Sequence, residues 1–182
     1  MYGYGHGEKS ELIKRCINSW HKYLPDYEII EWNESNFPMD YNKYVKQAYE
    51  QKKYAFVSDV IRLWALYNFG GIYMDTDVEV YKSLDVFLCN KAFTGFENVG
   101  FPVCATMGAE KGNPIIKEFL DYYDNKDFEI KTNTVIMSEI LEKHGIDRNN
   151  NDTQDTEHIT IYPKDYFVDG TFTRHHFNGS WT

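Results

Sequence analysis

The 182-residue chain is poor in cysteine, proline and basic charge. Its three cysteines, Cys16, Cys89 and Cys104, are odd in number, far apart and without metal-site spacing, which excludes a disulfide-stapled scaffold and a zinc ribbon. They read as reduced, mostly buried thiols of a cytoplasmic protein. No apolar run approaches the roughly 18 residues that span a bilayer, and no signal peptide is visible. Lys and Arg number 19 against 28 Asp and Glu, for a formal charge of −9. Nucleic acid is therefore excluded as a main partner, and an anionic membrane surface is disfavoured. The five prolines are scattered, and no repeat or linker divides the chain, so residues 1–182 are expected to form one domain. What the chain has in plenty is aromatic side chains, 17% of residues with 15 Tyr, which suits stacking on sugars or bases as well as an ordinary core.

Residues 8–24 place Leu12, Ile13, Cys16, Ile17, Trp20 and Leu24 at helical spacing, closed by Pro25–Asp26. Residues 27–32 alternate as a short strand, and 41–51 read as a second helix. Residues 54–69 form a helix that is apolar nearly all round, hence deeply buried, with Gly70–Gly71 as its left-handed stop. A strand at 72–74 follows at once. Residues 92–96 and 103–107 pair as a hairpin through Gly100-Phe101-Pro102. Pro114 opens a helix to about residue 123, and Thr132 or Asn133 caps another that Gly145 ends. The Asn- and Asp-rich stretch 148–157 is expected to be a mobile loop, with a short strand at 159–162 after it. Alternating helices and strands predict an α/β fold with a mixed, mostly parallel sheet flanked by helices. Ligands of such sheets bind beyond the carboxyl ends of the strands.

Asp75 and Asp77, separated only by Thr76, lie at such an end in Gly70-Gly71-Ile72-Tyr73-Met74-Asp75-Thr76-Asp77. Two close carboxylates repel unless something positive sits between them, and the run holds no Lys or Arg. A hard divalent cation, Mn²⁺ or Mg²⁺, fits that place and keeps coordination positions open for phosphate oxygens. It also supplies the local positive charge that an acidic protein needs to hold a phosphorylated ligand. Asp59 and Arg62, three apart on the buried helix, share a face. They read either as a bracing ion pair or as contacts to a sugar and its phosphate. His175 or His176 offers an imidazole to complete a Mn²⁺ shell begun by Asp77. Phe96-Glu97-Asn98 reads as a contact to donor or acceptor, or equally as a plain strand-end turn.

The run from Tyr54 through Asp59 and Arg62, then Asn68-Phe69-Gly70-Gly71-Ile72-Tyr73-Met74-Asp75-Thr76-Asp77, resembles the signature of the DXD-containing glycosyltransferases of family 32. That family includes bacterial capsular-polysaccharide and lipopolysaccharide sugar transferases and yeast mannosyltransferases. The helix after Glu8 and the ending His175-His176 with Ser180-Trp181 also resemble family segments. The resemblance implies a GT-A-like, Rossmann-like fold, a UDP-sugar or GDP-sugar donor, and transfer with retention to a glycan or lipid-linked glycan. It also implies a place in the cytoplasm or peripheral to the inner membrane face. By position, Asp75 contacts ribose and sugar, Asp77 ligates metal, Asp59 and Arg62 grip the donor sugar, and Tyr73 lines the nucleotide. One of His175 and His176, with Ser180, closes the metal and diphosphate site, and Trp181 covers the phosphates.

Members of the family usually begin with a strand that this chain is expected to lack, so that Tyr2 or Tyr4 would have to stack on the base. Two other readings follow. One is a catalytically weak nucleotide-sugar-binding remnant or assembly subunit, motivated by the short start. The other is a haloacid-dehalogenase-like phosphatase, since Asp75-Thr76-Asp77-Val78 also fits an apolar-strand Asp-x-Asp motif. Such enzymes place that motif near the N-terminus and follow it with a lysine and a further acidic pair, and no convincing pair follows a strand here.

Overall fold

Ser10 opens the first helix, α1 (Glu11–Tyr23): its hydroxyl accepts the Ile13 N–H at 3.4 Å, and Glu11 sits in the first turn, where the helix dipole favours an acid. The computed structural model describes residues 8–178. α1 buries Ile13, Cys16, Ser19 and Trp20 along one stripe. Asn42 caps α2 (Lys43–Glu50) by accepting the Val45 N–H at 2.8 Å. α3 (Tyr54–Phe69) buries every residue from Phe56 to Leu63, including Asp59 and Arg62, so it is a core helix as its sequence predicts. Gly70 ends it at φ +73°, and a Cβ there would come within 2.8 Å of the Lys111 backbone nitrogen. Conformation and close approach both demand glycine at that position.

The strands that follow are β1 (Gly71–Met74), β2 (Val78–Val80), β3 (Ala92–Gly95), β4 (Thr106–Ala109), β5 (Gln154–Asp155), β6 (Thr160–Tyr162) and β7 (Thr173–His175). Between them lie α4 (Pro114–Asp121), α5 (Asn133–Lys143) and the short α6 (Lys164–Phe167). One sheet runs in the order β1-β4-β3-β6-β5, and β2 pairs with β7 as a separate antiparallel ribbon. The predicted α/β architecture with a mixed sheet is what forms. The predominance of parallel pairing is not: among the described residues only β3–β6 is parallel, and β1–β4, β3–β4 and β5–β6 are antiparallel. The reason lies in the connections. Parallel neighbours need a long, usually helical, crossover. The path from β3 to its parallel neighbour β6 passes through β4 and then the helices α4 and α5, whereas residues 96–105 return from β3 to β4 with no helix, and β4 comes back antiparallel.

Two further expectations change. Residues 27–32 form no strand, because no strand of the described residues ladders with them. Instead they wall a groove of about 460 Å³, together with α1, the end of α3 and β1, where Trp20, Trp32, Phe69 and Ile72 meet. The 148–157 stretch is organised by its own polar side chains. Asp147 and Asn150 carboxyl and amide oxygens accept the N–H groups of Asn149 and Asp152 at 2.9 and 3.0 Å, and the side chain of Gln154, the first residue of β5, donates to the Asp147 and Asn150 carbonyls.

Strand alternation divides the apolar residues between the two faces of the main sheet. Tyr73, Ala92, Met107 and Ile161 join α2–α5 in the larger core. Phe93 and its neighbours Ile72, Met74 and Tyr162 join Trp20, Phe87 and Phe167 in the smaller one. Among the described residues no helix is long and apolar enough to cross a membrane. Gly108 lies directly beneath Phe93, whose ring atoms stand 2.2 to 2.9 Å from where a Cβ would project. Gly108→Ala is expected to cost about 1–3 kcal/mol, read as a lowered urea midpoint with an unchanged slope. A midpoint equal to the wild type would show that the Phe93 ring yields freely.

Candidate metal and donor site

β1 ends in Met74, and the Asp75 N–H continues its ladder by donating to the Ala105 carbonyl at 3.0 Å. The chain then turns, the Val78 N–H donating to the Asp75 carbonyl at 3.0 Å, and enters β2. Asp75 and Asp77 are thus held at the mouth of a tight turn between the two sheets. β7 lies alongside with His175 opposite Val78. This register brings one oxygen of each aspartate and a ring nitrogen of His175 within 4.8 Å of one another. Two carboxylates and an imidazole form a donor set suited to Mn²⁺, and one that leaves positions open.

The two aspartates have different company. Asp75 Oδ1 accepts from the Tyr73 hydroxyl at 2.8 Å and from Arg62 Nη2 at 3.1 Å. Arg62 in turn sits 3.1 Å from Asp59 Oδ1 and stacks over the Tyr73 ring at 4.6 Å. Burial pushes the Asp59 carboxyl up to about 7, against the pull of Arg62. Burial acts to lower the Arg62 value, but Asp75, Tyr73 and Asp59 outweigh it, so the guanidinium stays charged. Asp77 pairs with no Lys or Arg among the described residues. Burial acts to raise its pKa, but His175 and the Asn178 N–H, which donates to Oδ2 at 2.8 Å, outweigh it and hold the carboxyl below its usual range. For His175, Asp77, Asp75 and Glu97 together overcome burial and raise the imidazole value. A basic side chain therefore occupies one oxygen of Asp75, and the positive partner of Asp77 is a titratable ring 3.5 Å away.

The positions picked from sequence separate into groups. Asp75, Asp77 and His175 converge; Arg62 and Tyr73 brace Asp75; Asp59 is completely buried and paired to Arg62, the bracing arrangement. His176 turns away: its Nε2 lies 2.9 Å from Glu79 Oε2, beside Arg15. Tyr4, Ser180 and Trp181 lie outside the described residues. Arg15, Glu79 and Asn178 were not picked. Glu79 alternates with the buried Val78 and Val80 on β2, a pattern that marks an outward strand position and nothing more specific. Asn178 acts through its backbone, which no side-chain motif reveals.

Residues 10–94, which hold Asp59, Arg62, Asp75 and Asp77, match the family described as "Glycosyltransferase sugar-binding region containing DXD motif". The resemblance read from the sequence is thereby shown over that region. Inositol phosphoceramide mannosyltransferase 3 of Schizosaccharomyces pombe is 32% identical over 111 residues, 57% of this chain and 29% of that protein. Among solved structures, PaToxG Glycosyltransferase shares the fold with a TM-score of 0.56 at 21% identity, over 77% of this chain and 65% of that one. The chain thus spans 29% of the length of the curated relative and 65% of the solved one.

Asp59 supplies a pH test of the arrangement. The folded chain keeps its proton to about pH 7, whereas the unfolded chain releases it near the ordinary 3.8. Between those values the folded state binds more protons, so this group's contribution to stability falls as pH rises. Urea unfolding across pH 4 to 7 should show the wild type losing up to about 1.4 kcal/mol per pH unit relative to Asp59→Asn. Parallel pH profiles for the two chains would place the Asp59 proton elsewhere.

Proposed function

We propose that this chain is a metal-dependent, retaining glycosyltransferase of GT-A-like fold and a single domain, moving a sugar from a nucleotide-diphosphate donor to a glycan or lipid-linked glycan acceptor. The observation that carries this reading is the meeting of Asp75, Asp77 and His175 at the end of β1, where two carboxylate oxygens and an imidazole nitrogen lie within 4.8 Å of one another. Its sequence context is the DXD-containing region matched over residues 10–94.

Asp77 and His175 would hold Mn²⁺ or Mg²⁺ directly, and Asp75, steadied by Tyr73 and Arg62, would offer its carboxylate to the cation and to the donor's ribose and sugar. When bound, such a cation would supply positive charge to offset that gathering on the leaving diphosphate. Arg62, 3% exposed and shared between Asp59 and Asp75, serves the donor site by fixing where Asp75 stands, and the direct grip on the donor sugar that the resemblance gives to Asp59 and Arg62 has no exposed surface to act through. The resemblance gives Tyr73 a place on the nucleotide side and Tyr4, Ser180 and Trp181 the base-stacking and phosphate-closing roles; Tyr73, 8% exposed, serves the site through the hydroxyl it donates to Asp75. Retention, a UDP-sugar or GDP-sugar donor, the polysaccharide acceptor and a cytoplasmic or inner-membrane-peripheral location rest on that resemblance. The phosphatase alternative has less support: the partner of Asp77 among the described residues is a histidine and not a lysine.

The test is metal-dependent turnover. Incubated with UDP- and GDP-sugars and Mn²⁺, the chain should release nucleoside diphosphate, and a chelator should stop it. Asp77→Asn should lower the rate by on the order of 10²–10³ while leaving the circular dichroism spectrum intact. Undiminished release in chelator, or by Asp77→Asn, would sink the proposal.

A further inference from the structure

We propose that Glu97 is a positioning residue for the cation site: its carboxylate receives the Nδ1–H of His175 and so presents Nε2 to the ion. This inference rests on the metal-dependent reading above and adds a residue to it. Glu97 lies just past β3, in the turn that returns to β4, and its backbone N–H donates to the Phe101 carbonyl at 2.9 Å. Its side chain is 22% exposed and points inward, with Oε1 3.8 Å from His175 Nδ1. On the other side of the ring, Nε2 stands 3.5 Å from Asp77 Oδ2. The imidazole is thus strung between two carboxylates from separate elements, one of which is a candidate ligand.

Nδ1 of His175 is buried and has no hydrogen-bond partner. A buried polar nitrogen without a partner is costly, and native interiors seldom leave one. Among the described residues, Glu97 is the carboxylate within ion-pair range of that nitrogen. Cation binding supplies the reason for the vacancy at Nδ1. An imidazole that gives its Nε2 lone pair to a metal must carry its proton on Nδ1, and that N–H is typically taken by a carboxylate, which fixes both tautomer and ring orientation. Once Nε2 and Asp77 both turn to the ion, their direct contact is no longer needed. A shift of the ring by about 1 Å then brings Nδ1 into hydrogen-bond range of Glu97. Phe177 packs beside the imidazole, its ring centroid 4.0 Å from that of His175.

A purely electrostatic role, in which Glu97 only adds negative charge near the cation, makes a different forecast, and Gln separates the two. The amide oxygen of Gln still accepts the Nδ1–H but carries no charge. Titration with Mn²⁺ alone, following the free-ion signal by electron paramagnetic resonance, should show E97A binding about 10–100-fold more weakly than the wild type. E97Q should bind close to the wild type. Equal weakening of both variants would replace orientation with charge, and wild-type affinity in E97A would leave Glu97 without a role. Should E97A fail to fold, the ring-nitrogen shifts of His175 in the wild-type chain with Mg²⁺ decide the matter. A protonated Nδ1 supports the proposal, and a protonated Nε2 overturns it. If the wild type itself takes up no Mn²⁺, the metal site fails and Glu97's role with it, an outcome distinct from any difference between variants.

Discussion

One guanidinium shared by two carboxylates holds the site to the core. Arg62 is nearly fully buried on α3, 3.1 Å from Asp59 on its own helix and 3.1 Å from Asp75 at the end of β1, with Tyr73 stacked against it. Taking these charges out of water is expensive, and replacing such a cluster by apolar side chains commonly leaves a protein as stable or more so. Removing one partner alone is what costs, typically about 3–5 kcal/mol, because a buried charge is left without compensation. The cluster therefore fixes where Asp75 sits more than it stabilises the fold. The helix and the strand cannot slide past one another without breaking it.

A second constraint brings in the far end of the chain. The Trp20 indole N–H donates to the Val78 carbonyl at 2.7 Å, and the Ser19 hydroxyl accepts the Val80 N–H at 2.8 Å, so α1 clamps β2 from below. β7 then has one antiparallel register available on that ribbon, with His175 beside Val78 and Arg174 beside Glu79. Because successive strand side chains point to opposite faces, a slip of one residue would exchange His175 for a neighbour. The same alternation explains the fate of His176. It follows the end of β7, donates its N–H to the Asp77 carbonyl, and turns its ring to Glu79.

How much of this was legible in the sequence depends on the range of the interaction. The helical stripe in 8–24 and the helix that Pro114 opens are local patterns, and the buried character of α3 follows from its unbroken apolar composition. The Asp75–Asp77 pair was visible because a short apolar strand and a double glycine frame it. Strand direction was not visible: it depends on which connections carry helices, and the 96–105 return gives no periodic signal of its own. The choice between His175 and His176 was closed to sequence reasoning for the same reason, since it is decided by a pairing between residues nearly a hundred positions apart. Residues 27–32 show the converse failure. Their alternation is real, but alternation describes a half-buried extended segment, and whether that segment is a strand depends on a partner.

The charge balance of the site connects these strands of argument. Asp75, Asp77 and Glu97 converge on a region whose fixed positive charge is Arg62, and Arg62 is already shared with Asp59. What remains is His175, and an imidazolium answers one carboxylate at most. Protonation relieves the excess in part: burial raises Glu97 and Asp59 alike, while the surrounding acids raise His175. On the proposed reading, a divalent ion held by Asp77 and His175 would supply the remaining positive charge, and it would need the ligating nitrogen of His175 unprotonated. Proton and cation thus compete for the same nitrogen. The excess negative charge of Asp75, Asp77 and Glu97, beside a ring nitrogen open to either occupant, is what the proposed cation site would draw on.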